Sequence, residues 1–393
     1  MTVNEGWDSF KTNRWINFDT IPSSSSQNRP APRAPEIEVN RKTPDSPSNR
    51  ANRPRTLSDR GNEILDNHEL VSSLYAWNWS ELRENYPEKG IQNPSIYCYA
   101  ISCVQLLSHV PAIVRILQDH QCQDTACLCC NWKKNFLQSH GHAGTINWFR
   151  EAFKKDRKFN QGRQEDAHDA LLAILGKLDK ISVQSNPRLK GRKVADDLFG
   201  YSIRNEVQCP GCKNKHVYYE HNTVMTVRML RKDPSGKSHS IKELMQALFT
   251  ESKIFGYNCS KCKKKSDAPV KPTLLRAPQI LLMHISRFSF DGWGKKISRP
   301  VTLNETLDVT SMATAGASTV YKLCGAVIHG GTTLDYGHYW CVARSRKREE
   351  QFVTLNDSSV SQHTNPRDAL QSYIVLYRRR EHLANVGNEK SMI

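Results

Sequence analysis

At 393 residues the chain has room for two average domains or for one large domain with tails. Its hydrophobic fraction of 38% lies below the globular norm, so part of the chain is expected to stay unpacked. The formal net charge is +17, yet residues 1–75 carry ten basic and ten acidic side chains, which puts the excess in 76–393; such a diffuse excess reads as solvated surface before it reads as a nucleic-acid footprint.

No apolar run approaches the ~20 residues that a membrane span needs. The opening MTVNEGWDSFKTNRW has no apolar core segment, so no secretory leader is expected. The 12 cysteines are therefore expected to be reduced, in cytosol or nucleus, as metal ligands, nucleophile or core packing.

Residues 21–60 are rich in Ser, Pro, Asn and Arg and cannot bury enough surface to offset their ordering entropy. A disordered tail over 1–75 is expected, with folded sequence starting near Leu70. Helical periodicity follows at 99–107, 111–118, 145–154 and 165–179. Extended patterns then dominate in LFGYSIRNEVQC, HVYYEHNTVMTVRM, QILLMHISRFSF, YKLCGAVIHG, GHYWCVAR, QFVTLN and SYIVLYR. Helices first and antiparallel-type strands afterwards predict an α+β fold. The segment 381–393 lacks a core pattern and reads as a short flexible tail.

Two Cys-x-x-Cys knuckles, Cys209/Cys212 and Cys259/Cys262, flank a β-rich stretch. Four thiolates in two such pairs suit a tetrahedral structural Zn2+, with no coordination position left open for catalysis. Lys261, Lys263, Lys264 and Lys265 crowd the second knuckle and offset its negative charge. HQCQDTACLCC offers a second cluster, Cys122, Cys127 and Cys130 with His120 or His140. Its irregular spacing leaves a second zinc and a reduced, partly buried cysteine cluster evenly matched.

Cys98 follows the turn signal Asn-Pro-Ser and opens an apolar helical face made by Ile101, Val104 and Leu107, stopped by Pro111. A thiol at a helix N-terminus is biased toward the nucleophilic thiolate. Taken alone, Cys98 would read as a small buried hydrophobe. Far downstream, His338 starts a strand after a Gly-containing turn, and Asn356 and Asp357 end the next one. Thiol, then histidine, then Asn or Asp is the chain order of papain-like proteases, in which the histidine moves the proton and its partner fixes the tautomer.

GIQNPSIYCYAISCVQLL resembles the cysteine box of ubiquitin-specific proteases, and VIHGGTTLDYGHYWCVAR with VTLNDSSVS resembles their histidine box. RQEDAHDALLAIL is similar to the family's Gln-x-Asp helix, ILLMHISRFSFDGWGKKI to its Leu-Lys-Arg-Phe strand and SYIVLYR to its closing strand, all in family order over about 90–378. The resemblance implies a papain-like catalytic domain over 76–380, with a helical thumb, a β-rich palm and zinc-bearing β fingers at about 200–275 that grip ubiquitin. It implies Cys98 as nucleophile, His338 as base, Asn356 as its orienter with Asp357 in support, and the Asn93 amide as an oxyanion donor beside the Cys98 N–H. It also implies that Gln164, Asp166 and Asp169, with Asp166 and Asp169 on one helical face, bind the flexible ubiquitin tail, and that Gly337 and Tyr339 let it pass close to the backbone. The partners are then ubiquitin and ubiquitinated proteins, with a monomeric catalytic domain and no membrane.

Two departures stand out. Ser95-Ile96-Tyr97 replaces the family's Gly-Asn-Thr before the cysteine, and Ile101 replaces its asparagine. They motivate a second reading, a catalytically weak or inactive ubiquitin-binding scaffold. A third, a basic zinc-finger nucleic-acid binder, leaves His338 and Asn93 unexplained.

Overall fold

The structure is a computed structural model that describes residues 88–137, 144–160, 162–185, 193–231, 236–287, 296–314, 319–331, 337–346, 348, 350–362, 365 and 371–380. Both expected tails and His140 lie outside the described residues, as does much of the stretch after Arg287.

The first half is helical. A short strand β1 (Ile91–Gln92) leads into α1 (Cys98–Leu107), α2 (Pro111–Asp119) and α3 (Leu128–Trp132). β2 (Gly144–Thr145), which pairs with β1 in parallel, precedes α4 (Asn147–Ala152), the long α5 (Ala167–Ser185) and α6 (Val194–Phe199). Pro111 sits in the first turn of α2, where its missing N–H costs nothing, so it separates α1 from α2 as expected. No single helix among the described residues is long and apolar enough to cross a membrane.

Two sheets follow. The smaller has the order β4-β3-β8-β7, built from β3 (Tyr201–Gln208), β4 (Lys215–Asn222), β7 (Ser252–Asn258) and β8 (Lys265–Arg276). β3 is antiparallel to both β4 and β8, so the hairpins β3–β4 and β7–β8 lie side by side. The larger sheet runs β15-β14-β13-β12-β16-β9-β5, with β11 (Thr306–Asp308) also on β12. Its strands are β5 (Met225–Arg228), β9 (Ile280–Ser286), β12 (Val320–Gly330), β13 (His338–Arg344), β14 (Phe352–Asn356), β15 (Ser359–Gln362) and β16 (Ser372–Arg379). Every pairing in it is antiparallel except β5 with β9, and the short strands β6 (His239–Ser240) and β10 (Val301–Thr302) pair with each other in parallel outside it.

The central strands of the larger sheet are buried on both faces, which explains why β16 reads as a nearly unbroken apolar run. Tyr373 and Leu376 face the helices, with Leu106, Leu107 and Phe149 in the same core. Val375 and Tyr377 face a second core around Met245 and Leu307. Met245 belongs to α7 (Ile241–Leu248), a helix the periodicity reading passed over. Its signal was present in the sequence: Ser240 and Glu243 form a reciprocal capping box that satisfies two of the helix's free N–H groups.

Candidate active site and thiol clusters

Asn93 shapes the turn that delivers the cysteine. Its Oδ1 accepts from the N–H groups of Ser95 and Tyr97, both at 3.1 Å, which curls the chain directly into α1. Cys98 is the first residue of α1 and is 4% exposed. The helix is clamped from two sides. Cys103 donates to Ala167 O at 3.2 Å, fixing α1 against the start of α5, and the Tyr99 ring stacks on Phe159 with centroids 6.2 Å apart.

Gln164 Nε2 lies 3.0 Å from Cys98 Sγ and also donates to Gly337 O at 2.8 Å, bridging the thiol to the residue before β13. The Tyr339 N–H adds a second donor from β13. At the far end of the same arrangement, His338 Nε2 meets Asn356 Oδ1 at 2.6 Å. With Oδ1 accepting, Nε2 carries the proton and Nδ1 keeps its lone pair. Cys98 and His338 thus approach from adjoining elements without a hydrogen bond between them.

Burial is the largest influence on the Cys98 thiol and pushes it above its ordinary value, and the Asp357 charge adds to the rise. The Tyr339 N–H, the Gln164 amide and the Tyr99 N–H pull the other way and do not prevail. The helix N-terminus was expected to favour thiolate at Cys98. In the folded chain desolvation outweighs it, because the sulfur is sealed beneath the residues that hold it.

Three further expectations change in detail. Asp357 does not hydrogen-bond His338: its Oδ2 accepts from Asn93 Nδ2 at 3.1 Å, while Asn356 Oδ1 accepts from the imidazole. Asp166 does not share a helical face with Asp169, because it precedes α5. Its Oδ1 accepts from the His168 N–H at 2.7 Å and its Oδ2 from the Tyr373 hydroxyl at 2.7 Å. It is a cap turned inward, and burial raises its carboxyl to about 6. Asp169 is paired with Lys158. Gly337 is explained within the chain: a Cβ there would fall 2.2 Å from His329 Nε2 and 2.5 Å from Gly330 O on β12. Tyr339 is buried, its ring stacked on His329.

The sequence reading passed over Gln105 and Tyr373. Tyr373 sat in an apolar strand and gave no polar signal. Gln105 did give one, a lone amide in the run CVQLL seven residues after Cys98.

The described residues hold two groups whose donor atoms all lie within 4.8 Å of one another. In the first, Cys209 and Cys212 come from the β3–β4 turn and Cys259 and Cys262 from the β7–β8 turn. The two turns are built alike. Lys213 N–H donates to Cys209 O and Lys263 N–H to Cys259 O, and both lysines take left-handed φ values of 60° and 58°. The N–H of Cys212 helps lower the Cys209 thiol, and that of Cys262, chief among several, holds the Cys259 thiol down to about 6. Across the turns, Cys209 and Cys262 Sγ are 3.8 Å apart and Cys212 and Cys259 Sγ 3.7 Å.

The second group is His120, Cys122, Cys127 and Cys130. His120 caps the C-terminus of α2, and its Nε2 lies 3.3 Å from Cys122 Sγ and 3.2 Å from Cys127 Sγ. Cys122 and Cys130 Sγ are 3.4 Å apart. Cys129 is buried in the helical core and is not among the donors.

A family model described as ubiquitin carboxyl-terminal hydrolase matches residues 89–377. The chain is 28% identical over 331 residues to the probable ubiquitin carboxyl-terminal hydrolase 16 of Schizosaccharomyces pombe, covering 77% of this chain and 68% of that one. It is 26% identical to the ubiquitin carboxyl-terminal hydrolase 17-like protein B of Mus musculus over 66% of this chain and 57% of that one. With ubiquitin carboxyl-terminal hydrolase 42 of Homo sapiens the identity is 26% over 76% of this chain, which spans only 23% of that relative. Among solved structures, a chain of the SAGA DUB module Ubp8/Sgf11/Sus1/Sgf73 bound to monoubiquitin matches with a TM-score of 0.64 at 21% identity, over 76% of this chain and 70% of that one. That likeness establishes the fold. With the family model running from just before β1 through most of β16, over every element of both sheets, the chain belongs to the ubiquitin carboxyl-terminal hydrolase family, in its ubiquitin-specific protease branch.

Proposed function

We propose that the chain is a deubiquitinating cysteine protease that hydrolyses isopeptide or peptide bonds after the C-terminal glycine of ubiquitin through a thioester on Cys98. The observation that carries this reading is the convergence on one thiol: Gln164 and the strand start of β13 meet Cys98, and the residue between Gly337 and Tyr339 is a histidine oriented by Asn356.

In the proposed reaction His338 Nδ1 takes the Cys98 proton, and the thiolate attacks the glycine carbonyl carbon. The oxyanion meets the Cys98 N–H and the second hydrogen of Asn93 Nδ2, the first being held by Asp357. His338 returns its proton to the departing amine, leaving the thioester. Water then gives a proton to His338 and attacks the thioester carbonyl, and Cys98 leaves. Substrate must draw His338 onto the thiol, a closure expected where catalytic hydrogen bonds tighten only in the complex. Asp169, partly exposed on α5, would exchange Lys158 for a basic residue of the ubiquitin tail.

Both thiol clusters fit zinc in a structural role, since four protein donors close each site. The finger separations of 3.7 and 3.8 Å match the edge of about 3.8 Å for a tetrahedron with zinc–sulfur bonds of about 2.3 Å. Reduced cysteines in both clusters suit the cytosol or nucleus, which imaging of a tagged chain would check.

The test is ubiquitin bearing a C-terminal electrophile. Covalent capture at Cys98, lost in Cys98→Ser, together with cleavage of defined di-ubiquitins, is the expected result. The scaffold reading draws on the buried, unionised Cys98 and its missing bond to His338. It predicts saturable ubiquitin binding with neither capture nor cleavage, and that outcome would overturn the proposal.

A further inference from the structure

Resting on the catalytic reading above, we infer that Gln105 is a positioning residue that sets the histidine-orienting turn against the nucleophile helix. Gln105 lies two helical turns beyond Cys98 on the same face of α1 and is fully buried. Its Nε2 donates to the backbone O of Asp357 at 3.1 Å, and the Ile91 N–H donates to that same oxygen at 2.8 Å. The carbonyl is thus held jointly by the helix that carries the thiol and by the strand that leads into Asn93.

That oxygen belongs to the most constrained residue of the site. β14 and β15 pair Asn356 with Ser359, which leaves Asp357 and Ser358 as a two-residue turn, and Asp357 takes a left-handed φ of 48° without being glycine. The turn is also pressed from outside, since a Cβ on Gly90 would fall 2.1 Å from Ser358 O. Three functions hang on it. Asn356 Oδ1 faces His338, Asp357 Oδ2 holds the Asn93 amide, and the Asp357 charge reaches the Cys98 thiol. A rotation of the turn would shift all three at once.

The chemistry of Gln105 points to this role over simple packing. Its neighbours Val104, Leu106 and Leu107 are buried hydrophobes, and a leucine or methionine would fill the same space. The amide instead leaves Oε1 buried with no hydrogen-bond partner among the described residues. A buried acceptor without a partner is destabilising, so the residue costs stability that only its N–H to Asp357 offsets.

The experiment measures steady-state hydrolysis of a ubiquitin C-terminal fluorogenic amide by the full chain, wild type beside Gln105→Met and Gln105→Glu. Gln105→Met keeps the shape and removes the donor. It is expected to lower kcat about 10- to 100-fold at all pH values, with KM within about twofold and Tm unchanged or higher. In Gln105→Glu, burial favours the neutral acid, whose O–H restores a donor to Asp357 O. Its kcat relative to wild type is expected to be near-normal at pH 6 and to fall about tenfold by pH 8.5 as the acid ionises. Amide exchange of peptides covering 356–362 should quicken in Gln105→Met and revert in Gln105→Glu at pH 6. Wild-type kcat in Gln105→Met, or losses of kcat and Tm in step with no pH-dependent rescue, would overturn the assignment. An inactive wild type would sink the catalytic reading alone, and the exchange data would then decide the role of Gln105.

Discussion

The finger tip and the nucleophile pocket both turn backbone N–H groups toward cysteine sulfur, yet the first thiol of each knuckle and the Cys98 thiol end in opposite conditions. At the tip, each Cys-x-x-Cys turn points its own amides at its first sulfur, and the Cys209 and Cys259 thiols fall below their ordinary value. In the pocket, Cys98 receives N–H groups from Tyr339 and Tyr99 and an amide from Gln164, and its thiol still rises because it is buried. Cys98, Cys209 and Cys259 are all buried, so the difference lies in which influence is largest: at the tip it is the N–H of Cys212 or Cys262, at Cys98 it is desolvation. The first thiol of each knuckle is therefore inclined to ionise as folded, while Cys212, against the pull of the Asn214 N–H, is pushed up to about 11 by desolvation and the neighbouring thiols, and the pocket holds a neutral thiol until a base arrives.

The most severe way to break this comparison is at the tip. Cys259→Ser should remove one equivalent of bound metal and lower stability by about 4 kcal/mol or more, because a closed metal site contributes folding energy directly. Elemental analysis and thermal melts check it. Retention of full metal content would mean that the tip is held by its sheet alone.

The helical cluster is the intermediate case, with one sulfur exposed and His120 buried. His120→Ala should lose the second metal equivalent and destabilise by about 3 kcal/mol, on the scale of other broken buried networks. Part of that loss would come through α3, whose Trp132 donates to Ser108 Oγ at the end of α1 at 2.9 Å. His140→Ala should keep both equivalents.

The pocket half of the comparison is sharpened by pH. Because Cys98 is raised above its ordinary value, its rate of alkylation by iodoacetamide, followed by mass spectrometry of the Cys98 peptide, should climb about tenfold per pH unit from 7 to 9 without a plateau. A plateau below pH 7 would instead reveal a resting thiolate paired with His338. The smallest effect is at the turns. Lys263→Gly removes a side chain from a left-handed φ of 58° and should stabilise the metal-loaded protein by up to about 1 kcal/mol, read as a rise in Tm.

Much of this site was legible in the chain because its rules are local. The cysteine box placed a helix against Cys98, the two knuckles carry their own turn geometry, and His338 and Asn356 fall on strands whose alternation and flanking turns are plain. Other residues misled for an equally physical reason. Asp166 reads in the sequence as a tail-binding acid on one helical face with Asp169, and only Tyr373, some two hundred residues away, reveals it as an inward cap. Asp357 looked like a second partner for the imidazole, but its left-handed backbone swings the carboxylate to Asn93. α7 carries its capping box in the sequence, yet it is a single helix set among strands, and the extended patterns on either side hide it.

By itself, then, the sequence determined the elements, the paired thiol turns and the order of the reactive residues, since turn chemistry, capping and periodicity act over a few residues. Only the tertiary structure brought His120 onto Cys122, Cys127 and Cys130, and decided which carboxylate meets which amide and whether Cys98 rests as thiol or thiolate. Those outcomes depend on burial and on contacts between residues far apart in the chain, and neither can be computed from near neighbours.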